Sequence, residues 1–392
     1  MEAVMVRYGE VFLKSEQVKR RFIAQMAKNI RLALEAASLG HRIETPRGRI
    51  LIYGDDPASI ADTVTRIFGV VDVSVATVTT PDIAHLSGVA VERAKTALQP
   101  GMTFAVRGRR SGVEGFSSQE LAGTVGAAIG QAVPEASVNL SKPDYEVFVE
   151  ARDFGGFVYD SRQPGPGGLP FGTQGRVLTL LSAGIDSPVA SWLMMRRGCG
   201  MIHLHMRGGR FAGGDVEETA LRHHAQISRW CPGYPLDLFV VEMEPFFEAL
   251  VRLKEPRYRC ILCKRFMLKV ASEVARRHAA HAIVSGDNLG QVASQTLENM
   301  AVIAPAATVP VLRPLIGFDK EEIVAQARMI GTFDPVQGEL GCTVAPKHPS
   351  IAARAEIIAE YEKLLGMEEL VSAAVEKVVR RRAQSGTLVE IS

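Results

Sequence analysis

The chain has 392 residues, 47% hydrophobic and 22% charged, with a formal net charge of +2. That balance suits an ordinary globular protein of two or three domains and excludes one that holds a partner by bulk positive charge alone. The start, MEAVMVRYGE, lacks the regions of a signal peptide, and no apolar run approaches the roughly 18 residues that span a bilayer, so the expected location is cytoplasmic, with no membrane partner.

In chain order, residues 1–60 read strand–helix–strand: AVMVRYGE is a short alternation, Val18, Phe22, Met26, Ile30 and Leu34 recur at helical spacing, and RILIYG is a strand before a helix opened by Pro57. Residues 61–165 continue as an α+β module. VVDVSVATV and MTFAVRGRR are strands, DIAHLSGVAVERAKTAL is a helix, SSQELAGTVGAAIGQAV is a helix starting close to a capping box, and YEVFVEARDFGGFVYD is a hairpin. The basic groups VKRRF, VRGRR and VVRRRA each read as a solvated face, but together they suit a phosphate backbone if the fold gathers them. The stretch SRQPGPGGLPFGTQG shows no periodicity, and a linker is expected over 166–175.

From 176 to 392 the texture changes. RVLTLL, GMIHLHM, LDLFVVEM, HAIVSG and VPVLRPL are nearly continuous apolar runs separated by helical segments, which implies a doubly wound parallel sheet with ligands beyond its carboxyl strand ends. The first of these strands runs into LLSAGIDSPVASWLMMRRG. Ser182, Gly184, Asp186 and Ser187 lie between strand and helix, with Pro188 expected at the first helical position. Backbone N–H groups at such a helix start, with two serine hydroxyls, suit phosphate oxygens, and Asp186 suits Mg²⁺. The bland alternative is a capped strand–turn–helix corner. A Walker loop is excluded because the Gly-Lys-Ser/Thr ending is missing.

The order S-x-G-x-D-S resembles the PP-loop of ATP pyrophosphatases, with Ala183 where the usual form has glycine; a methyl group there would crowd the phosphates or resist a positive φ. With VRYGEVFLK (6–14), SGDNLGQVASQTLENM (285–300), RPLIGFDKEEIVAQARMIGT (313–332) and GCTVAPKHPS (341–350), the chain resembles the tRNA 4-thiouridine synthetases, the ThiI family, over almost its whole length. The resemblance implies a ferredoxin-like domain (1–60), a THUMP RNA-binding domain (61–165) and a PP-loop domain (176–392). It implies a tRNA sulfurtransferase that uses ATP and Mg²⁺ to adenylate O4 of the uridine at position 8 of tRNA, releases pyrophosphate, and lets sulfur displace AMP from C4. By the same resemblance, nucleotide contacts would include Leu180, Leu181, Ser182, Gly184, Asp186, Ser187, His203, Leu204, Arg265, Gly286 and Gln295. Asp186, Lys320 and Cys342 would serve catalysis, and Arg107, Arg109 and Arg110 would meet tRNA. Read from the residues alone, His203 and His205 are strand-end residues rather than metal ligands, and a lysine in a helix's first turn, like Lys320, is poorly placed electrostatically unless it has a task. A homodimer is implied by the family only. Other readings are a PP-loop thiolase of the 2-thiocytidine type and a non-catalytic THUMP tRNA-binding protein; a THUMP methyltransferase would need a Gly-rich turn after a strand, which is lacking.

The five cysteines, an odd number, do not suit a secreted disulfide framework. Cys199 and Cys231 read as structural. Cys260 and Cys263, in YRCILCKRFM, are expected at a helix start where Lys264 and Arg265 would lower their pKa values. Many relatives carry a rhodanese domain that bears a persulfide and also serves thiamine synthesis. None is expected before the last residue, Ser392, so the sulfur is expected from sulfide or a donor protein. Relatives without that domain resemble this chain in their Cys-x-x-Cys pair, which implies that Cys260, Cys263 and Cys342 hold an iron–sulfur cluster, of the 4Fe–4S type. Zinc on these three and His348, a redox disulfide between Cys260 and Cys263, and inert packing are the alternatives.

Overall fold

The computed structural model describes residues 1–213, 215–334 and 342–390, leaving aside the side chains of Phe12 and Leu13. Gly341 of the GCTVAPKHPS block lies outside the described residues. The chain divides into two compact units, Met1–Gly168 and Leu169–Ser392.

In the first unit nine strands form one sheet. Across it run Arg42–Glu44, Ile50–Tyr53, Glu2–Tyr8, Val70–Thr79, Gly155–Tyr159, Tyr145–Arg152, Thr103–Ser111 and Ser137–Val138, with Gln163–Pro164 pairing on Val70–Thr79. The expected hairpin is present, with Val149 opposite Val158. Alternation sends Val147, Val149 and Ala151 toward Leu121, Val125 and Ile129 of the helix Ser118–Ala132. That helix opens in a full capping box between Ser117 and Glu120. The opposite sheet face buries Met5, Leu51, Ala76, Phe157 and Tyr159.

Charges are buried among the strands. Glu150 takes Arg49 at 3.0 Å and the Tyr159 hydroxyl at 2.9 Å, while Arg7 holds Asp72 at 2.5 Å. Burial would raise the Glu150 carboxyl, but Arg49, Arg152 and Arg7 outweigh it and hold it at about 2. Arg7 of the strand Glu2–Tyr8 and Arg49, just before Ile50–Tyr53, both reach Glu150 of the hairpin, so residues 1–60 and 61–165 share one sheet and one charge network. Position 60 itself lies inside the helix Pro57–Val64.

In the second unit the sheet order is Val311–Leu312, Ile283–Val284, Arg176–Leu180, Gly200–Arg207, Leu236–Glu242, Val379–Gln384 and Thr387–Val389. The first five are parallel and the last two antiparallel. The VVRRRA group therefore becomes an added strand, and two of its arginines, Arg380 and Arg382, are spent on Asp237. Leu178, Ile202, Leu204, Phe239 and Val241 face the helix Arg259–Arg277. From Arg176–Leu180 the chain steps one way to Gly200–Arg207 and later the other way to Ile283–Val284. Between those neighbours a crevice opens at the carboxyl ends, where open α/β sheets take ligands.

Two details differ from the sequence reading. The helix after the loop starts at Asp186, so Pro188 is its third residue, still within the turn whose N–H groups lack partners. The cysteine helix starts at Arg259, so Cys260 and Cys263 lie inside its first two turns rather than ahead of it.

Candidate active site

The crevice holds a cavity of about 220 Å³ lined by Leu180, Ser182, Asp186, Ser187, Lys264, Met267, Leu268, Ser285, Gly286, Asp287, Gln295 and Ile303. The loop closes on itself. Ser182 N donates to Ser187 Oγ at 2.8 Å, the two hydroxyls lie 2.9 Å apart, and Gly184 N reaches Ser182 Oγ at 3.3 Å. Ala183 is buried, without a positive φ, and does not line the cavity, so its methyl group crowds nothing there. Gly286 is required: a Cβ would stand 2.8 Å from Ser187 N and 3.0 Å from the Asp186 carbonyl carbon. The turn after Ile283–Val284 thus abuts the start of the loop helix.

Lys320 is the first residue of the helix Lys320–Ile330, and its Nζ lies 3.3 Å from Asp186 Oδ1. The capping box of Asp319 and Glu322 fixes that helix start. Asp186 and Lys320, 134 positions apart in sequence, therefore meet at the cavity mouth with their side chains 26% and 54% exposed.

Of the residues expected to contact nucleotide, Leu180, Ser182, Asp186, Ser187, Gly286 and Gln295 line the cavity. Leu204 is buried in the sheet, and Leu181 is buried just past the end of the strand Arg176–Leu180. Arg265 is turned away, its guanidinium spent on Glu362 at 2.8 Å. His203 lies in the strand interior rather than at its end, fully buried, 2.7 Å from Ser191 Oγ and 2.8 Å from His224 Nδ1. No side-chain contact with a ligand is open to it. Sequence reasoning missed Lys264 and Asp287, and it missed His205 and His223. These two histidine rings donate to the carbonyls of Leu181 at 3.0 Å and Ser182 at 3.2 Å, bracing the loop from behind. The alternation of His203 and His205 was visible, but nothing local tells which ring supports a loop.

The His203–His224 contact has a measurable consequence. One hydrogen bond between two ring nitrogens needs one donor and one acceptor, so both rings cannot be charged. Burial pushes His224 down to about 4 and His203 well below its ordinary value. The unfolded chain binds these protons from about pH 6.5 downward and the native state does not, so stability is lost as pH falls from 6.5 toward 4. For His224 alone the loss by pH 5 is about 2 kcal/mol. Urea unfolding followed by Trp192 and Trp230 fluorescence should show it between pH 7.5 and 5; an unchanged midpoint would contradict it.

The three cysteines come from two segments. Cys260 and Cys263 sit on the first turns of Arg259–Arg277, and Cys342 bridges back to Ala212. The expectation of acidic thiols is not met. Burial raises both Cys260 and Cys263, the neighbouring Cys342 adds to it, and Lys264 offsets only part. The two basic neighbours also have other partners, Arg265 on Glu362 and Lys264 on Asp287. Among the described residues, no three Cys, His, Asp or Glu side chains close on a single metal ion. Cys199 and Cys231 are buried and apart, and burial pushes the Cys231 thiol up to about 12.

In the first unit Arg107, Arg109 and Arg110 lie on the strand Thr103–Ser111. Arg107 is bound to Glu146 at 2.8 Å and to the Leu140 carbonyl, and Arg110 to the Val113 carbonyl. Arg109 is exposed and makes no ion pair among the described residues.

Known proteins agree with this geometry. Residues 172–367 match the family model "Thiamine biosynthesis protein (ThiI)", 3–74 the ThiI ferredoxin-like domain and 82–159 the THUMP domain. A probable tRNA sulfurtransferase of Methanosarcina mazei is 36% identical over 95% of this chain and 93% of its own. One of Methanothermobacter thermautotrophicus is 37% identical over 97% and 98%. A crystal structure of a 4-thiouridine synthetase–RNA complex with bound ATP superposes with a TM-score of 0.87 at 29% identity, covering 98% of this chain and 100% of that one. By sequence over nearly its full length and by fold, the chain belongs to the ThiI family of tRNA sulfurtransferases.

Proposed function

We propose that the chain makes 4-thiouridine at position 8 of tRNA, with ATP as the activating substrate. The observation that carries this reading is the loop Ser182–Ser187 at the switch point of the sheet, facing an apolar wall and a Lys320–Asp186 pair. Leu180, Met267, Leu268 and Ile303 suit a purine, and the hydroxyls and free N–H groups at the start of Asp186–Arg196 suit the pyrophosphate that leaves. The half-exposed Asp186 carboxylate suits Mg²⁺, which would neutralise phosphate charge. Uridine O4 attacks the α-phosphorus and pyrophosphate departs; sulfur then adds at C4 and AMP leaves. Lys320 places a positive charge where charge builds on the transferred phosphate.

Cys260, Cys263 and Cys342 would hold the iron–sulfur cluster. What supports this set is that Cys342 lies close enough to add to the burial that raises the Cys260 and Cys263 thiols, so a strongly positive partner in their place of contact would favour the deprotonated thiolates. Bound there, the cluster would supply an iron that carries sulfide. The first unit would bind the tRNA, and of its three candidate arginines Arg107 is paired with Glu146, whereas Arg109 and Arg110 make no ion pair among the described residues. The sulfur source, sulfide or a donor protein, and a homodimeric assembly rest on family resemblance alone. Among the described residues no helix is long and apolar enough to cross a membrane.

The test is ATP labelled at the α-phosphate, incubated with the protein and tRNA. AMP and pyrophosphate are the expected products; ADP and phosphate would overturn the assignment. Nucleoside analysis of the tRNA separates 4-thiouridine from 2-thiocytidine.

A further inference from the structure

The helix Val216–Ser228 lines no part of the cavity, yet it fastens both the phosphate loop and the helix that carries Lys320. His223 and Gln226 share one face of it, three positions apart, and Trp230 follows just past its end. His223 is buried; its Nδ1 donates to the Ser182 carbonyl at 3.2 Å, where the loop begins, and its ring also meets the Thr332 carbonyl. Gln226 Nε2 donates to the Ile330 carbonyl at 2.9 Å, and Trp230 Nε1 reaches the same oxygen at 3.5 Å. Ile330 is the last residue of the helix that Lys320 opens. Gly331 follows at φ +78°, packed so closely that a Cβ there would stand 2.4 Å from Gln226 Nε2. The contacts close a ring. It runs from Ser182 through His223 and Gln226 to Ile330, along the helix to Lys320, across 3.3 Å to Asp186, and back round the loop to Ser182.

The fastening at Ile330 is not needed to end the helix. Gly331 already closes it in the left-handed conformation, with its N–H turned back to Ala327 and Arg328, and Thr332 N donates to Ala327 at 2.9 Å. Nor does the buried face of Ile323, Ala327 and Ile330 fix the helix along its axis, because hydrophobic contact is non-directional. Hydrogen bonds are directional, so His223 and Gln226 set where the helix stands against the loop. The helix has 11 residues and is about 16 Å long, so a shift at Ile330 is carried to Lys320. We propose that His223 and Gln226 are positioning residues for the activation step, holding the Lys320 helix and the phosphate loop in the register that brings the ammonium to Asp186. This rests on the role proposed above for the Lys320–Asp186 pair.

Single-turnover AMP formation with ATP and tRNA, in a double-mutant cycle with Lys320→Ala, tests this. Gln226→Leu keeps the volume and removes the donor. It should slow AMP formation about tenfold through misplacement of the lysine, while the ATP concentration for half-maximal rate changes less than about threefold. In the Lys320→Ala background the same change should cost less than about twofold, because a register with no lysine to place has no consequence. His223→Asn keeps an N–H near the position of Nδ1 and should stay within about threefold of the unaltered protein, whereas His223→Leu should lose about tenfold. Thermal melts of every variant check folding, and Gln226→Leu, at a half-buried position, carries the test if His223→Leu is unstable. A purely structural role predicts that the losses multiply in the double variant. If they do, or if Gln226→Leu forms AMP within about twofold of the unaltered rate, the proposal falls while the reading of the pair stands. If Lys320→Ala alone costs nothing, the reading of the pair falls first and the proposal with it.

Discussion

Asp186→Ala is expected to lower tRNA-dependent AMP formation by about a thousandfold or more, a loss of roughly 4 kcal/mol in transition-state stabilisation. Two effects add. The variant loses the oxygen ligand that would seat Mg²⁺ against the phosphates. It also loses the partner 3.3 Å from Lys320 Nζ, so the lysine is no longer steered toward the transferred phosphate. Structural cost should be small. Asp186 is the first residue of its helix and its side chain is 26% exposed, so removing its charge from the positive end costs about 0.5–1 kcal/mol. Binding of tRNA, assigned to the first unit, should change less than twofold. Lys320→Ala should lower AMP formation by about a hundredfold, because it removes charge stabilisation but not the metal ligand. The check is release of labelled AMP under single-turnover conditions, beside a filter-binding assay for tRNA. Retention of AMP formation within tenfold in Asp186→Ala would remove the carboxylate from the mechanism.

What the sequence shows of this site, and what it hides, follows from how far apart the interacting residues are. Continuous apolar runs such as LDLFVVEM report local burial on both faces, and the strand Leu236–Glu242 stands where they place it. The loop was legible because phosphate binding at a helix start needs small and hydroxyl residues in one short stretch. Lys320 was legible as a cation in an unfavourable helical position, and its partner explains why it is tolerated there. The Lys264–Asp287 pair joins residues 23 apart on separate elements, and no local pattern distinguishes it from a solvated lysine. Arg265, one position further on, misled for the same reason, since its ion pair with Glu362 depends on how a later helix packs. The thiol acidity was misjudged because helix-start and neighbouring charges were counted, while burial, which sequence spacing does not report, outweighed them. His203 read as a strand-end residue because the sequence does not show that the strand extends to Arg207.

The cysteine set is expected to separate activation from sulfur delivery. Cys260→Ala, Cys263→Ala and Cys342→Ala should each reduce thiolation of the uridine by about a hundredfold or more, while AMP formation in the paired-cysteine variants stays within about tenfold. The reason is spatial. None of the three cysteines lines the nucleotide cavity, whereas Lys264, Met267 and Leu268, further along the same helix, do. Truncating Cys260 or Cys263 should also spare the fold. The thiols sit near the helix start, Cys260 is only partly buried, and losing one sulfur leaves a small void, costing about 1–2 kcal/mol at most. Their chemistry is more sensitive. With burial, and after it the neighbouring Cys342, raising the Cys260 and Cys263 thiols, the free thiolates are scarce at neutral pH, so a simple redox pair would be slow and would speed up steeply with pH. A zinc site would make the protein colourless and would implicate His348. An iron–sulfur cluster predicts a brown protein after anaerobic reconstitution and loss of bound iron in each single variant. It also predicts thiolation with sulfide as the only sulfur source. Full thiolation by a rigorously iron-free preparation would sink the cluster. If iron is lost from the Cys260 and Cys263 variants but kept in Cys342→Ala, Cys342 carries sulfur on its own, and the exposed position beside Ala212 is where such a carrier would meet its donor.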